Sequence, residues 1–249
     1  MKLTSGIGSA LLLCADSVLA DNPVSGSSFR DNNGLAAAQA ASPHVGHQTN
    51  GVDNDNCNID KLSHGCPQQP AWQGTNTFYG NVPGEPFETI PTYWAVAQCG
   101  DTWRIIYYVY FKKDTGHKSD WEGIVVQFKD NGDDTWTRDV VIMEQDGNHA
   151  HINWSDLNDT FDGLDDWENF QQANLDHGKF YFGKWHHPVH PDWHTTSFKN
   201  TCPPISDDDF RNADYQFWSY NNLRPVSVLD PDWQWGRATS PANIDICSY

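Results

Sequence analysis

Positive charge is scarce in this chain. It has 15 Lys and Arg against 33 Asp and Glu, a formal net charge of -18 over 249 residues. A surface of that sign repels polyanions, and no basic stripe offsets it, so nucleic acid is excluded as a partner. A general electrostatic hold on anionic lipid is excluded for the same reason. Any peripheral membrane contact must then run through a specific head group or a bridging cation. Also missing is any apolar run near the roughly 20 residues of a membrane-spanning helix. No internal repeat is visible, and no linker divides 66–249, so one domain is expected. No nucleophile motif, two-metal ligand set or catalytic signature stands out, and the chain is expected not to be an enzyme.

An apolar stretch lies at the start. Met1-Lys2 leads through Leu11-Leu12-Leu13 to Val18-Leu19-Ala20, the pattern of a secretory signal peptide (1–20) cleaved after Ala20. The mature protein is then expected to be secreted and extracellular. Cys14 leaves with that leader, so Cys57, Cys66, Cys99, Cys202 and Cys247 remain, an odd number that allows at most two disulfides. Cys202 with Cys247, and Cys66 with either Cys57 or Cys99, are the pairings expected.

Residues 21–56 are rich in Ser, Asn, Gly, Ala and Asp, and are expected to be a flexible extension with a weak helix at 35–41. The domain follows at 57–249. Aromatic and β-branched runs at 92–98, 103–112, 121–129, 136–144 and 179–184 predict strands, separated by turns such as Asp130-Asn131-Gly132-Asp133. Segments 164–175 and 207–221 predict helices. The fold class is therefore mainly β, a central β-sandwich flanked by a few helices.

The densest chemistry lies in Asp114-Thr115-Gly116-His117-Lys118-Ser119-Asp120-Trp121-Glu122, three carboxylates and an imidazole within nine residues at the mouth of an apolar run. If Trp121 opens a strand, Asp120 and Glu122 project to one side and Trp121 to the other, toward packing. Carboxylates held together repel unless something positive sits between them. Oxygen donors favour Mg2+, Ca2+ or Mn2+, and the imidazole keeps Zn2+ open. A solvated acidic turn in an acidic chain is the alternative.

Gly116 to Glu122, GHKSDWE, resembles the GHRHDWE heptapeptide of the necrosis- and ethylene-inducing-peptide-like proteins, secreted microbial cytolysins that attack plant membranes. Flanking segments follow in the same order. The run 103–111 ends in Lys113-Asp114, Gly147-Asn148-His149 resembles the family's Ser-Ala-His, 180–187 resembles its strand ending in Lys-His, and Trp235-Gly236-Arg237-Ala238 resembles its closing Trp-Gly-x-Ala. The resemblance spans roughly 66–241 and implies an actinoporin-like cytolysin architecture. It implies Asp114, His117, Asp120 and Glu122 as ligands of a divalent cation, and Lys118, Ser119, His149 and His187 around a cavity for lipid or glycan. The partner implied is a plant-type glycosylated sphingolipid head group, the place of action the host plasma membrane, and the protein a monomer. The chain departs from the family at Ser119, where the heptapeptide has its second His, at Lys118, where it has Arg, and in a shorter loop from 114 to 117.

Three functions fit these features. The first is a cytolysin and virulence effector that docks on sphingolipid through the cation. A noncytolytic relative acting in glycan or host recognition is the second. A metal-dependent hydrolase using His149 or His187 is the third. His186 is the alternative to His187 in the cavity. A transition-metal site in the run of His186, His187, His190 and His194 is a further alternative, but the other histidines, with His151, are expected to be scattered hydrogen-bonding groups. Of the 12 tryptophans, Trp72, Trp154, Trp193 and Trp233 lie in loop-like contexts and are candidates for an exposed aromatic rim.

Overall fold

A computed structural model of the chain describes residues 21–46, 91–113, 118–145, 147–162, 172–182, 188–192, 223–230 and 235–249. In chain order these hold Val24–Ser25 (β1), the short helices Gly26–Arg30 (α1) and Leu35–Ala40 (α2), and His44–Gly46 (β2). Four long strands follow: Thr92–Cys99 (β3), Thr102–Lys113 (β4), Lys118–Asp130 (β5) and Thr135–Gln145 (β6). Then come Asn148–Asn153 (β7), Thr160–Phe161 (β8), His177–Phe182 (β9), Val189–His190 (β10) and Leu223–Pro225 (β11).

β3 to β6 form an antiparallel meander at the centre of a seven-stranded sheet. β11 adds in parallel beside β3, while β1 and β7 share the far edge of β6, each pairing with one half of it. A four-stranded sheet of β8, β9, β10 and β2, with β9 central, covers one face. Tyr107, Val109 and Ile124 of the large sheet share a core with Phe180, Phe182 and Val189 of the small one. On the opposite face Tyr93, Ile106, Tyr108 and Trp121 pack beneath Leu229, Trp235, Ile244, Ile246 and Tyr249. Burial on both faces is why these strands read as continuous apolar runs rather than as an alternation.

The first described segment corrects one expectation. Residues 21–46 are built into the fold; 47–56 of the expected flexible extension lie outside the described residues. Phe29 stacks on Trp103 at 5.2 Å and meets Phe128 and Trp136 edge-on at 5.0 and 6.3 Å. Ala37, Ala38 and Ala41 are fully buried. The segment has few apolar residues, but nearly all of them land in the core, and an averaged composition hides that. Gly34 turns the chain between α1 and α2 at φ +83°, and a Cβ there would lie 2.7 Å from the Val96 side chain. The helix expected at 35–41 is present as α2.

Arg138 fastens this segment to β6. Its side chain is 1% exposed. The guanidinium donates to the Asp21 carboxylate, to Ala40 O and, at 3.1 Å, to Asn22 O, while the Arg138 backbone N–H donates to Asp21 Oδ2 at 2.7 Å. Asp176 takes both the Asn22 backbone N–H and its side-chain amide. Nearby, His177 Nδ1 donates to Ser42 O at 2.9 Å, and burial holds its pKa down at about 4.

Three further expectations are corrected. Trp154 belongs to no exposed rim; it is 1% exposed, with Nε1 donating to Leu175 O, because a short 3-10 turn points its ring into the core. The other three rim candidates lie outside the described residues. Cys247 pairs with Cys99, not with Cys202, because the C-terminal segment packs against β3. The described end of the helix expected at 164–175 is non-helical from 172 on, with Leu175 N–H held by Thr160 Oγ1. The remainder of that helix, the one at 207–221 and the leader 1–20 lie outside the described residues.

Replacing Arg138 with Met strands a buried Asp21 carboxylate. Urea unfolding followed by Trp fluorescence is expected to show a loss of about 3–5 kcal/mol. A loss under about 1 kcal/mol would mean that packing alone holds the N-terminal segment. His177 is neutral in the fold, so below its ordinary pKa of 6.5 the unfolded chain takes up a proton that the native chain refuses until about pH 4. Its contribution is flat above pH 6.5 and is lost on acidification to pH 4, by about 3 kcal/mol in total. The difference in unfolding free energy between wild type and His177→Gln, measured across that range, reads the slope.

Candidate functional site

The acidic segment enters the sheet at the first residues of β5. Of the four expected ligands, Asp114 and His117 lie outside the described residues, while Asp120 and Glu122 are 8% and 4% exposed. Lys118 opens β5, its side chain outside what is described. The β4–β5 pairing runs regularly to Phe111 opposite Asp120 and then skips to Lys113 opposite Lys118. At the skip, Ser119 takes φ +62°, a left-handed conformation unusual for Ser, and its hydroxyl lies 2.9 Å from that of Tyr110. The register is the same on both sides of this position, so Ser119 interrupts the ladder without shifting it. Trp121 packs between Tyr93, Tyr110 and Trp235 at ring separations of 5.1 to 5.2 Å.

Glu122 carries the strongest electrostatic stress of the site. Burial raises its pKa well above the ordinary 4.5, and the Asp120 and Glu144 carboxylates, each sharing a hydrogen bond with it, push in the same direction. Glu122 Oε2 and Glu144 Oε2 are buried with no hydrogen-bond partner among the described residues. The other Glu144 oxygen accepts the Gly147 N–H at 2.7 Å, fixing the carboxylate at the end of β6. Beside them the Tyr108 ring crosses Gly123, where a Cβ would collide with the Tyr107 carbonyl. Burial and the neighbouring Tyr249, Glu144 and Glu122 push the Tyr108 hydroxyl pKa upward.

These groups line a cavity of 560 Å3, bordered by Tyr108, Asp120, Trp121, Glu122 and Glu144 and closed by His149, Arg237 and Tyr249. His149, from β7, meets Tyr249 at 4.8 Å with the rings nearly perpendicular. His187 lies outside the described residues, as do His186 and His194, and His151 is exposed on β7. Among the described residues no three acidic, His or Cys side chains are gathered closely enough to hold a metal by themselves. The donor set nonetheless suits a hard divalent cation, since Glu122 and Glu144 each keep one buried carboxylate oxygen with no hydrogen-bond partner among the described residues.

Glu144 is absent from the set expected from sequence. Its signal was available, because the strand expected at 136–144 ends on it, and an antiparallel neighbour places that end beside the start of β5. Arg237, Ser248 and Tyr249 were also missed, since they reach the cavity from the far end of the chain.

No family model matches the chain, and no curated protein matches it in sequence. Among solved structures it is similar to Necrosis and Ethylene inducing Protein 2 from the causal agent of cocoa's witches' broom disease, at 18% identity over 92% of each chain and a TM-score of 0.46. It is similar to the non-toxic HaNLP3 protein, at 16% identity over 92% of each chain and a TM-score of 0.45. It is also similar to NLPPya, solved in complex with glucosamine, at 13% identity over 91% of this chain and 90% of that one, with a TM-score of 0.44. All are structures of necrosis- and ethylene-inducing proteins.

The raised Glu122 pKa sets a pH dependence for the protein in chelator. The native chain keeps a proton that the unfolded chain releases near pH 4.5, so stability falls as pH rises above that value and levels off once Glu122 ionises in the fold. Urea titrations in EDTA from pH 4 upward are expected to show this decline in wild type and its loss in Glu122→Gln. Equal slopes in the two proteins would place the strain elsewhere.

Proposed function

We propose that the chain is a secreted, non-enzymatic cytolysin that docks on glycosylated sphingolipid head groups of plant-type membranes through a divalent cation. The observation that carries this reading is Glu122, a buried carboxyl pressed against Asp120 and Glu144, with an unpartnered oxygen in a cavity large enough for a sugar. The GHKSDWE segment and its ordered flanking segments support it. Asp114, His117, Asp120 and Glu122 would hold the cation, Mg2+ or Ca2+ before Mn2+ or Zn2+, and its charge would attract hydroxyl and phosphate oxygens. His149, with Tyr108 and Tyr249, bounds the space in which a head group sits, and Glu144 adds a carboxylate that can accept from sugar hydroxyls. Nothing in this function needs a bond to be broken.

One observation favours a milder form. Among the described residues Val228, 57% exposed, is the one large apolar side chain left open to solvent. The described surface therefore offers little to insert into hydrocarbon, which favours recognition of a glycan without lysis.

Calorimetry with Mg2+ and Ca2+, followed by dye release from phosphatidylcholine vesicles with and without plant glycosyl inositol phosphoryl ceramide, tests both forms. Release that needs the lipid, stops in EDTA and disappears in the Asp120→Ala, Glu122→Ala double variant is the expected outcome. Binding to the vesicles without release selects the noncytolytic form. Release that survives the double variant would sink the docking site.

A further inference from the structure

The carboxylate floor of the cavity comes from β5 and β6, and His149 from β7. The wall facing them has another origin: Ile244, Asp245, Ser248 and Tyr249, from a segment with no regular structure beyond short 3-10 turns. Such a segment stays in place only where something ties it down. Three ties converge on it. Cys247 is bonded to Cys99 at the end of β3. Arg104 Nη1 on β4 donates to Tyr249 O at 2.7 Å and to Ile246 O at 3.3 Å. The Tyr249 hydroxyl lies 2.6 Å from that of Tyr108. The Asp245 carboxylate caps the final turn by accepting the Cys247 N–H at 3.0 Å.

We propose that Tyr249, delivered to the cavity by the Cys99–Cys247 disulfide and the Arg104 guanidinium, is a specificity-determining residue that receives the sugar ring of the ligand. The assignment rests on the docking function proposed above. Its chemistry follows from two features. A tyrosine ring at a polar cavity offers an apolar surface for the C–H face of a pyranose, and the carboxylates around it suit the hydroxyls at the ring's edge. In the Tyr108–Tyr249 pair one hydroxyl donates to the other, which leaves a single O–H hydrogen for a further acceptor, such as a ligand oxygen. Asp120 and Glu122 belong to the floor of the cavity and not to this wall. Tyr249 therefore governs the ligand and leaves the cation alone, and the Cys99–Cys247 bond governs Tyr249. Cys247 is exposed and Cys99 half-buried, so the tie is open to solvent at one end.

The test uses full-length protein and two binding readouts: Mg2+ by calorimetry, and sedimentation with phosphatidylcholine vesicles carrying plant glycosyl inositol phosphoryl ceramide. Tyr249→Ala is expected to weaken vesicle binding about tenfold while Mg2+ affinity stays within about twofold of wild type. Tyr249→Phe, which keeps the ring and loses the hydroxyl, is expected to recover most of that loss. The Cys99→Ala, Cys247→Ala pair is expected to resemble Tyr249→Ala in vesicle binding and wild type in Mg2+ binding. A purely structural role would lower the melting temperature and both affinities together, and that pattern overturns the assignment. So does vesicle binding by Tyr249→Ala equal to that of wild type. Wild-type protein that binds neither Mg2+ nor vesicles overturns the docking function and the role of Tyr249 with it, before any variant is compared.

Discussion

The buried Arg138 guanidinium is the interaction on which the remainder of the fold depends. A cation held away from water needs fixed partners, and three of them here, Asp21, Asn22 and Ala40, come from the first described segment, with Asp176 at 3.5 Å as a further one. By drawing them in, Arg138 sets Phe29 against Trp103 and Phe128 and seats α2 over the sheet, where Tyr107 donates to Ala38 O at 2.7 Å. The pair with Asp21 is not worth much as net attraction, since both groups give up hydration to form it. Its effect is to make one arrangement of the segment far better than any other.

With one face closed by α1, α2 and the small sheet, the opposite face is covered by residues 226–230 and 235–249. The cation-poor, carboxylate-rich pocket lies where that cover meets the strand ends. There the sheet tolerates Ser119 in a left-handed conformation and three neighbouring carboxyl groups, a cost that a regular strand would not carry. Stability comes from the tight middle of β4, β5 and β6, and the chemistry sits at one end of the same strands.

Much of this framework is legible in the sequence, because it depends on local pattern. β3, β4, β5 and β6 lie within a few residues of the segments expected from their aromatic and β-branched runs. The carboxylates of the heptapeptide announce themselves by spacing. Partnerships between distant residues leave no such trace. Nothing near Arg138 says that it will bind Asp21, and nothing near Cys247 distinguishes Cys99 from Cys202. Phe29 is a lone aromatic in a polar stretch, which reads as disorder until the Trp103 face that receives it is known. Glu144 lies between the two cases: the strand could be read, and the neighbour it would meet follows only from the meander.

The pocket joins residues 120–144 to residues 244–249, a separation of about half the chain. Contacts that distant in sequence form late, because a long loop has to close first. As the chain emerges in order, the carboxylate floor is complete long before its facing wall has been made. The sheet can form on a nascent chain, but the pocket is finished only once residues 244–249 have emerged.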